Sequence, residues 1–181
     1  MGLDKDLKIL LNKLQEVAKK RTANNRSFTE FTGLIGELAV CKYFDDYTWN
    51  PDQGYDANDK QSKERIQIKT RRLQTSTNLK GGRLGRFGSA RTTDDEKDCY
   101  EFDLGHLVVL DYNFIIAEIW TLDMKEIQHM EAEEKERKKQ SGKDKKLPGL
   151  NLRTFINNEK VTQHIHGNYP SAYESLMRTY P

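Results

Sequence analysis

Apolar residues near the start of the chain recur at steps of three and four, which is the spacing of an amphipathic helix. The repeat runs from Leu3 to Val17, and the basic residues Lys19–Arg21 follow it. Cations at this point complement the negative end of a helix dipole. We therefore predict a helix over residues 3–21.

A second helix is predicted after a short polar break. Ser27 and Glu30 have the spacing of a capping box, with the serine at the N-cap and the glutamate at N3. The helix is expected to end near Phe44, and Glu37 interrupts its apolar face. The apolar positions of that face are Phe31, Leu34, Ile35, Leu38, Cys41 and Phe44.

The pattern then changes to the two-residue alternation of β-strands. A short strand is expected at Tyr47–Trp49, and a hairpin is expected from Tyr55–Asn58 and Arg65–Leu73 around the polar turn Asp59–Lys63. On the second hairpin strand Ile66 and Ile68 point to one face. The opposite face carries polar side chains, namely Arg65, Gln67, Lys69 and Arg71.

The remaining pattern is less regular. Gln74–Asp98 is rich in glycine and cations and is expected to be a loop, and a helix near Asp94–Cys99 is the alternative for its last part. A second strand pair is predicted at Phe102–Leu110 and Phe114–Trp120, and a charged helix at Leu122–Lys139. This order of elements favours an α+β or mixed α/β fold. The expected organisation is an N-terminal helix for dimerisation or packing (1–26), a core (27–122), and a charged helix, linker and C-terminal extension (123–181).

The amino-acid composition limits the cellular compartments in which the protein is expected. Of the 181 residues, 35% are hydrophobic and 32% are charged, and no run approaches the ~18 apolar residues of a membrane span. The first residues are charged where a signal peptide needs an apolar stretch. The two cysteines, Cys41 and Cys99, have no metal-ligand spacing and are too few for a disulfide framework. We expect a reduced, cytoplasmic protein without a membrane partner.

The net charge of the chain is only +2, but its charged residues are distributed unevenly along the sequence. Between Lys60 and Arg91 the chain has ten lysines and arginines but only one acid, Glu64. Such a concentration of positive charge is typical of surfaces that bind phosphate backbones, so DNA is the expected partner. The alternative is a solvated face whose charge is balanced by acids from elsewhere in the fold.

Four residues have the chemistry of a phosphodiesterase site: Glu37, Asp56, Gln67 and Lys69. Gln67 and Lys69 share a strand face, and Asp56 is expected to face them across the hairpin. Phosphodiester hydrolysis uses a hard cation held by oxygen ligands, and a nearby lysine can orient water or stabilise charge. The alternatives are an exposed helix acid at Glu37, a turn formed by Asp56 with Gly54, and an ordinary solvated strand face.

The Gly-Tyr-Asp sequence at 54–56 and the Ile-Gln-Ile-Lys sequence at 66–69 resemble the PD-(D/E)XK, or restriction-endonuclease-like, nuclease superfamily. The helix with Thr-Gly-Leu-Ile-Gly-Glu at 32–37 is similar to the helix that carries an extra acidic ligand in many members. The resemblance covers roughly residues 30–122, or about half of the chain. It implies a central mixed β-sheet flanked by helices, with the element order α-β-β-β-(α)-β.

The resemblance also implies a role for each residue. Asp56 would be the central metal ligand, Glu37 the helix ligand and Lys69 the catalytic lysine, while the backbone carbonyl of Ile68 would complete the metal shell. Gln67 stands where the family usually has an acid, so the site has one negative charge fewer. The implied cofactor is Mg²⁺, with Mn²⁺ as a substitute.

The expected function is therefore a metal-dependent, restriction-like DNA endonuclease that acts as a homodimer, since cutting two strands needs two sites. The alternatives are a structure-specific nuclease such as a junction resolvase, and an inactive DNA-binding module, which the neutral Gln67 favours. RNA is a third possible substrate, although no series of spaced aromatics suggests a stacking platform. The residues expected to contact DNA are Arg71, Arg72, Lys80, Arg83, Arg86 and Arg91.

Overall fold

The structure is a computed structural model of the chain. It describes residues 5–23, 31–52, 54–72, 87, 89–90, 98–111, 114–141, 150 and 152–164. The helices are α1 (Lys5–Ala23), α2 (Thr32–Tyr43), α3 (Met124–Gln140) and α4 (Leu152–Ile156). The strands are β1 (Tyr47–Trp49), β2 (Ala57–Asp59), β3 (Arg65–Arg72), β4 (Ser89–Ala90), β5 (Asp98–Cys99), β6 (Leu104–Leu110), β7 (Ile116–Asp123) and β8 (Thr162–Gln163).

Six of the strands form one mixed sheet in the order β1-β2-β3-β6-β7-β8. β2 and β3 form the predicted hairpin, β1 pairs antiparallel with β2, and β6 pairs with β3 in parallel. A parallel pair needs a long crossover, which here is the chain between Arg72 and Leu104. β7 and β8 continue the sheet as antiparallel strands. The fold is thus of the α+β class, as the sequence predicts.

Helices cover both faces of this sheet because its central strands carry apolar side chains on both sides. One core, beneath α1 and α2, includes Ile66, Ile68 and Val108. The other, beneath α3 and α4, includes Leu107 and Val109. Strand alternation therefore directs Gln67 and Lys69 to the α3 side of β3, while Ile66 and Ile68 face α2.

The starts of α2 and α3 differ from the prediction, and the local sequence explains the start of α3. α2 begins at Thr32 after Phe31, which makes no side-chain cap hydrogen bond. The capping box at Ser27 and Glu30 lies outside the described residues. α3 begins at Met124 because Asp123 is its N-cap, accepting a hydrogen bond from the N–H of Glu126 at 2.9 Å.

Two predicted stretches need correction. The strand expected at Tyr55–Asn58 is β2, Ala57–Asp59, so Asp56 lies just before it. Asp98–Cys99 is not helical but forms a strand that pairs antiparallel with Ser89–Ala90. Both results depend on which neighbouring strand each segment pairs with, and local composition alone does not specify that pairing.

Candidate metal and phosphate site

Asp56 is fixed at the point where β2 approaches β3. Its main-chain N–H donates to the carbonyl of Ile66 at 2.8 Å. Its Oδ2 accepts the main-chain N–H of Ile68 at 2.6 Å and also the side-chain amide of Gln67. Oδ1 accepts no hydrogen bond in the part of the chain that the structure describes. Asp56 is therefore oriented by β3 and retains one oxygen for a ligand.

Gln67 is buried, with 8% of its surface exposed. Its amide nitrogen is the donor to Asp56, which leaves the amide oxygen as the free end of the side chain. The sequence interpretation placed Gln67 beside Asp56 as a neutral oxygen ligand. The structure brings the two side chains together and assigns the amide nitrogen, not the oxygen, to their direct contact.

Lys69 follows on the same face of β3, two residues along. Its ammonium lies 5.9 Å from the centroid of the Phe87 ring. Within the described ranges it makes no hydrogen bond and no ion pair. A partly buried ammonium without a fixed carboxylate partner is available to water or to a phosphate oxygen.

Glu37 reaches the site because α2 packs unusually close to β3. A Cβ built on Gly36 would lie 2.8 Å from the Cβ of Thr70 and would clash with the rest of that side chain. Only glycine permits this approach. The Glu37 carboxylate accepts a hydrogen bond from the indole N–H of Trp49 at 3.1 Å through Oε2, so Oε1 is its free oxygen among the described residues.

The two carboxylates influence one another electrostatically. Burial raises the pKa of Glu37, and the charge of Asp56 raises it further, against the opposing effects of Trp49 and Lys69. Burial likewise raises the pKa of Asp56, opposed by the Ile68 N–H, Lys69 and Gln67. Burial, with the charges of Glu37 and Asp56, raises the pKa of the Cys41 thiol to about 12. Negative charge is thus costly at these residues, and a bound cation would offset that cost.

The donor set suits a hard divalent cation. Asp56 and Glu37 each offer a carboxylate oxygen, and Gln67 offers an amide oxygen. The N–H and C=O of one strand residue point to the same edge of the strand, so the carbonyl of Ile68 points to the edge of β3 on which Asp56 lies. Oxygen ligands of this kind suit Mg²⁺ and Mn²⁺. Across the described residues, no three His, Cys, Asp or Glu side chains are grouped to bind a metal, so only two carboxylates serve here.

The predicted DNA-binding residues fall into two groups. Arg71 is half-buried on the Lys69 face of β3. Arg72 is half-buried on the α2 face, where its guanidinium lies 4.5 Å from the centroid of the Phe114 ring and burial lowers its pKa. Arg72 therefore has a packing contact in addition to its predicted role. The remaining four lie outside the described residues: Lys80, Arg83, Arg86 and Arg91.

The sequence analysis did not identify three residues that contribute to the site. Trp49 holds Glu37, Phe87 lies beneath Lys69, and Glu131 holds the main chain of Phe87. Phe87 is the single apolar aromatic in the basic segment 80–91, which is a weak signal for an anchor. Glu131 belongs to a highly charged helix, and nothing in that pattern distinguishes it from its exposed neighbours.

Comparison with known proteins gives no family for this chain: no protein-family model matches it, and no curated protein is similar to it. Among the described helices, none combines the length and the apolar character that crossing a membrane requires.

Proposed function

We propose that this protein is a metal-dependent DNA endonuclease with a restriction-endonuclease-like core. The observation that carries the proposal is the electrostatic interaction of Glu37, Asp56 and Lys69 beside the start of β2. Two carboxylates there have free oxygens, and the neighbouring ammonium has no ion-pair partner among the described residues. The order α2, β1, β2, β3 and β6 agrees with the element order that the family resemblance implies and so supports the proposal.

Each residue of the candidate site has its own role in this proposal. Asp56 and Glu37 hold the cation, with the Gln67 amide oxygen and the Ile68 carbonyl as neutral ligands. Mg²⁺ held by these residues would supply positive charge near the phosphate and help to activate water. Lys69 donates a hydrogen bond that orients the attacking water or stabilises charge on the phosphate oxygens. Arg71, two residues further along the same face, binds the DNA backbone.

The same proposal extends to assembly and location. Two equivalent sites are needed to cut both strands, so we propose a homodimer, and we propose a cytoplasmic setting. The lean towards restriction-like rather than junction-resolving activity comes from the long basic segment between β3 and β6, which provides chain for sequence recognition.

A second candidate is a DNA-binding module of the same fold without catalysis. The contact between Gln67 and Asp56 favours it, because the amide partly satisfies the aspartate without a cation. In this case the protein would bind DNA through its basic segment and would show no metal-dependent cleavage.

Cleavage of supercoiled plasmid, phage and genomic DNA with Mg²⁺ or Mn²⁺ distinguishes the two candidates. We expect wild-type cleavage that EDTA abolishes and that Asp56→Asn and Lys69→Ala each reduce by about 100-fold or more. Asp52→Asn and Lys135→Ala are matched controls, since both residues are exposed and lie outside the site. Equal cleavage by the site variants would overturn the assignment. DNA binding without cleavage of any substrate would support the second candidate.

A further inference from the structure

Phe87 is an apolar anchor within an otherwise basic, glycine-rich segment. Only 3% of its surface is exposed. Its ring stacks on Phe155 with centroids 5.5 Å apart and lies 6.0 Å from Phe102. A Cβ on Gly105 would clash with Cδ1 of Ile127 and lie 3.0 Å from the Phe87 ring, so the glycine leaves room for both side chains against β6.

The main chain of Phe87 is also held in place, by a hydrogen bond to a buried carboxylate. Its N–H donates to Oε1 of Glu131 at 2.7 Å, and the hydroxyl of Tyr100 donates to Oε2 of the same carboxylate at 2.7 Å. Glu131 is itself 3% exposed. A buried carboxylate is stable only when its oxygens are bonded, so removing either donor is costly and the arrangement is strongly specified.

This anchored ring lies beneath Lys69. The ammonium is 5.9 Å from the ring centroid, within the range over which a cation is attracted to an aromatic face. It makes no other polar contact within the described residues. The ring therefore attracts the ammonium in addition to the charges of Glu37 and Asp56.

We infer that Phe87, held by Glu131, is a positioning residue that keeps the Lys69 ammonium beside Asp56 and Glu37. This inference rests on the proposed function for its catalytic meaning. Phe87 touches neither DNA nor cation in this role; it acts only through Lys69. Loss of the aromatic face would lower the rate of the chemical step without changing affinity for the cation.

Fluorinated phenylalanines at position 87 test the inference, because fluorine weakens the attraction of the ring for a cation with little change in shape. We expect the single-turnover cleavage rate to fall stepwise from phenylalanine to the trifluoro analogue, by about 2–5-fold in total. Mg²⁺ affinity and DNA affinity should remain unchanged. The same series at Phe102, a buried neighbour in the cluster, is the control and should leave the rate unchanged.

A second readout does not depend on activity. The ε-protons of Lys69, assigned by comparison with Lys69→Arg, should show a ring-current shift that shrinks along the fluorinated series at 87 and disappears in Phe87→Leu. It should persist in Phe102→Leu. A shift or a cleavage rate that is unaffected by fluorination at 87 overturns the inference. If the wild type cleaves no DNA, the proposed function fails, and the proton shifts alone decide whether Phe87 positions Lys69.

Discussion

Gln67 donates its side-chain amide to Oδ2 of Asp56, the same oxygen that accepts the main-chain N–H of Ile68 at 2.6 Å. The carboxylate is therefore held in place by two donors from β3 before any cation binds. An acid at position 67 would make no such bond and would repel Asp56. The neutral residue thus stabilises the cation-free protein and removes one negative charge from the donor set.

This relationship gives the first prediction, for Gln67→Glu. Without divalent cation the variant should melt at a temperature lower by about 2–4 °C, because two carboxylates replace a hydrogen-bonded pair. Its affinity for Mg²⁺ should rise about tenfold, since one more negative ligand faces the cation. Thermal melting with and without Mg²⁺ and calorimetric titration measure the two effects.

Gln61 provides a matched control for that experiment. Its amide donates to Oδ2 of Asp46 at 2.6 Å on an exposed turn, so Gln61→Glu makes the same chemical change beside another aspartate. Solvent screens that pair, and neither the melting temperature nor the Mg²⁺ response should change appreciably. A Gln67→Glu variant that behaves like Gln61→Glu would contradict a cation site at Asp56.

The second prediction concerns Glu37→Gln. The variant keeps an oxygen to accept the Trp49 indole N–H, and it removes the charge that is unfavourable beside Asp56. We expect the melting temperature without cation to rise by about 1–3 °C while stabilisation by Mg²⁺ is largely lost. Glu64→Gln, on the turn between β2 and β3, should change neither quantity. Loss of the fold in Glu37→Gln would argue that the glutamate has a structural role.

The third prediction is a pH dependence of opposite sign to the usual carboxylate case. Because burial raises the pKa of Glu37 and of Asp56, the folded protein holds their protons more tightly than the unfolded chain. Their contribution to stability is present at low pH and is lost as pH rises through the raised pKa values. The advantage of Glu37→Gln should therefore vanish near the ordinary carboxyl pKa of about 4 and grow towards neutral pH.

Cation binding should show the reverse trend in the wild type. Protons compete with Mg²⁺ for the carboxylates, so affinity should increase as pH rises through the same raised pKa values and then level off. Titrations at several pH values, in parallel with melting curves of both proteins, provide the test. An affinity that stays constant across this range would place the cation elsewhere.

The fourth prediction addresses the packing that brings Glu37 to the site. Gly36→Ala should cost about 1–3 kcal/mol of stability, because its Cβ would clash with Thr70 and force α2 away from β3. The Mg²⁺ response should fall as Glu37 moves from Asp56. Adding Thr70→Ala should restore part of the stability, although the remaining Cβ is still close at 2.8 Å.

Gly33→Ala is the control for this change, since it lies one turn earlier on the same helix. Its Cβ would meet nothing nearer than Oε1 of Glu37 at 3.8 Å, which is an ordinary contact. The gain in helix propensity should make it neutral or stabilising. Denaturant unfolding of the three variants separates the clash from the general effect of replacing a helical glycine.

Much of the local structure could be predicted because it depends on neighbours in sequence. The three- and four-residue repeat of α1 and the alternation of Ile66, Gln67, Ile68 and Lys69 in β3 both have the expected structure. The approach of Asp56 to β3 follows from the hairpin, whose turn is short. By contrast, the position of Phe87 depends on contacts with Glu131 and Phe155, which are distant in the sequence, and no local pattern identified it. The two strands β4 and β5 are near each other in the sequence, but with two residues each they are too short to show an alternation.

The sequence by itself determined the residue types available to the candidate site and the face of β3 on which Gln67 and Lys69 lie, because a strand has a fixed two-residue period. Only the tertiary structure decided that Glu37 approaches Asp56, since this requires Gly36 to meet Thr70 across two elements. It also decided that Glu131 and Phe87 support Lys69, because packing between distant segments sets those distances.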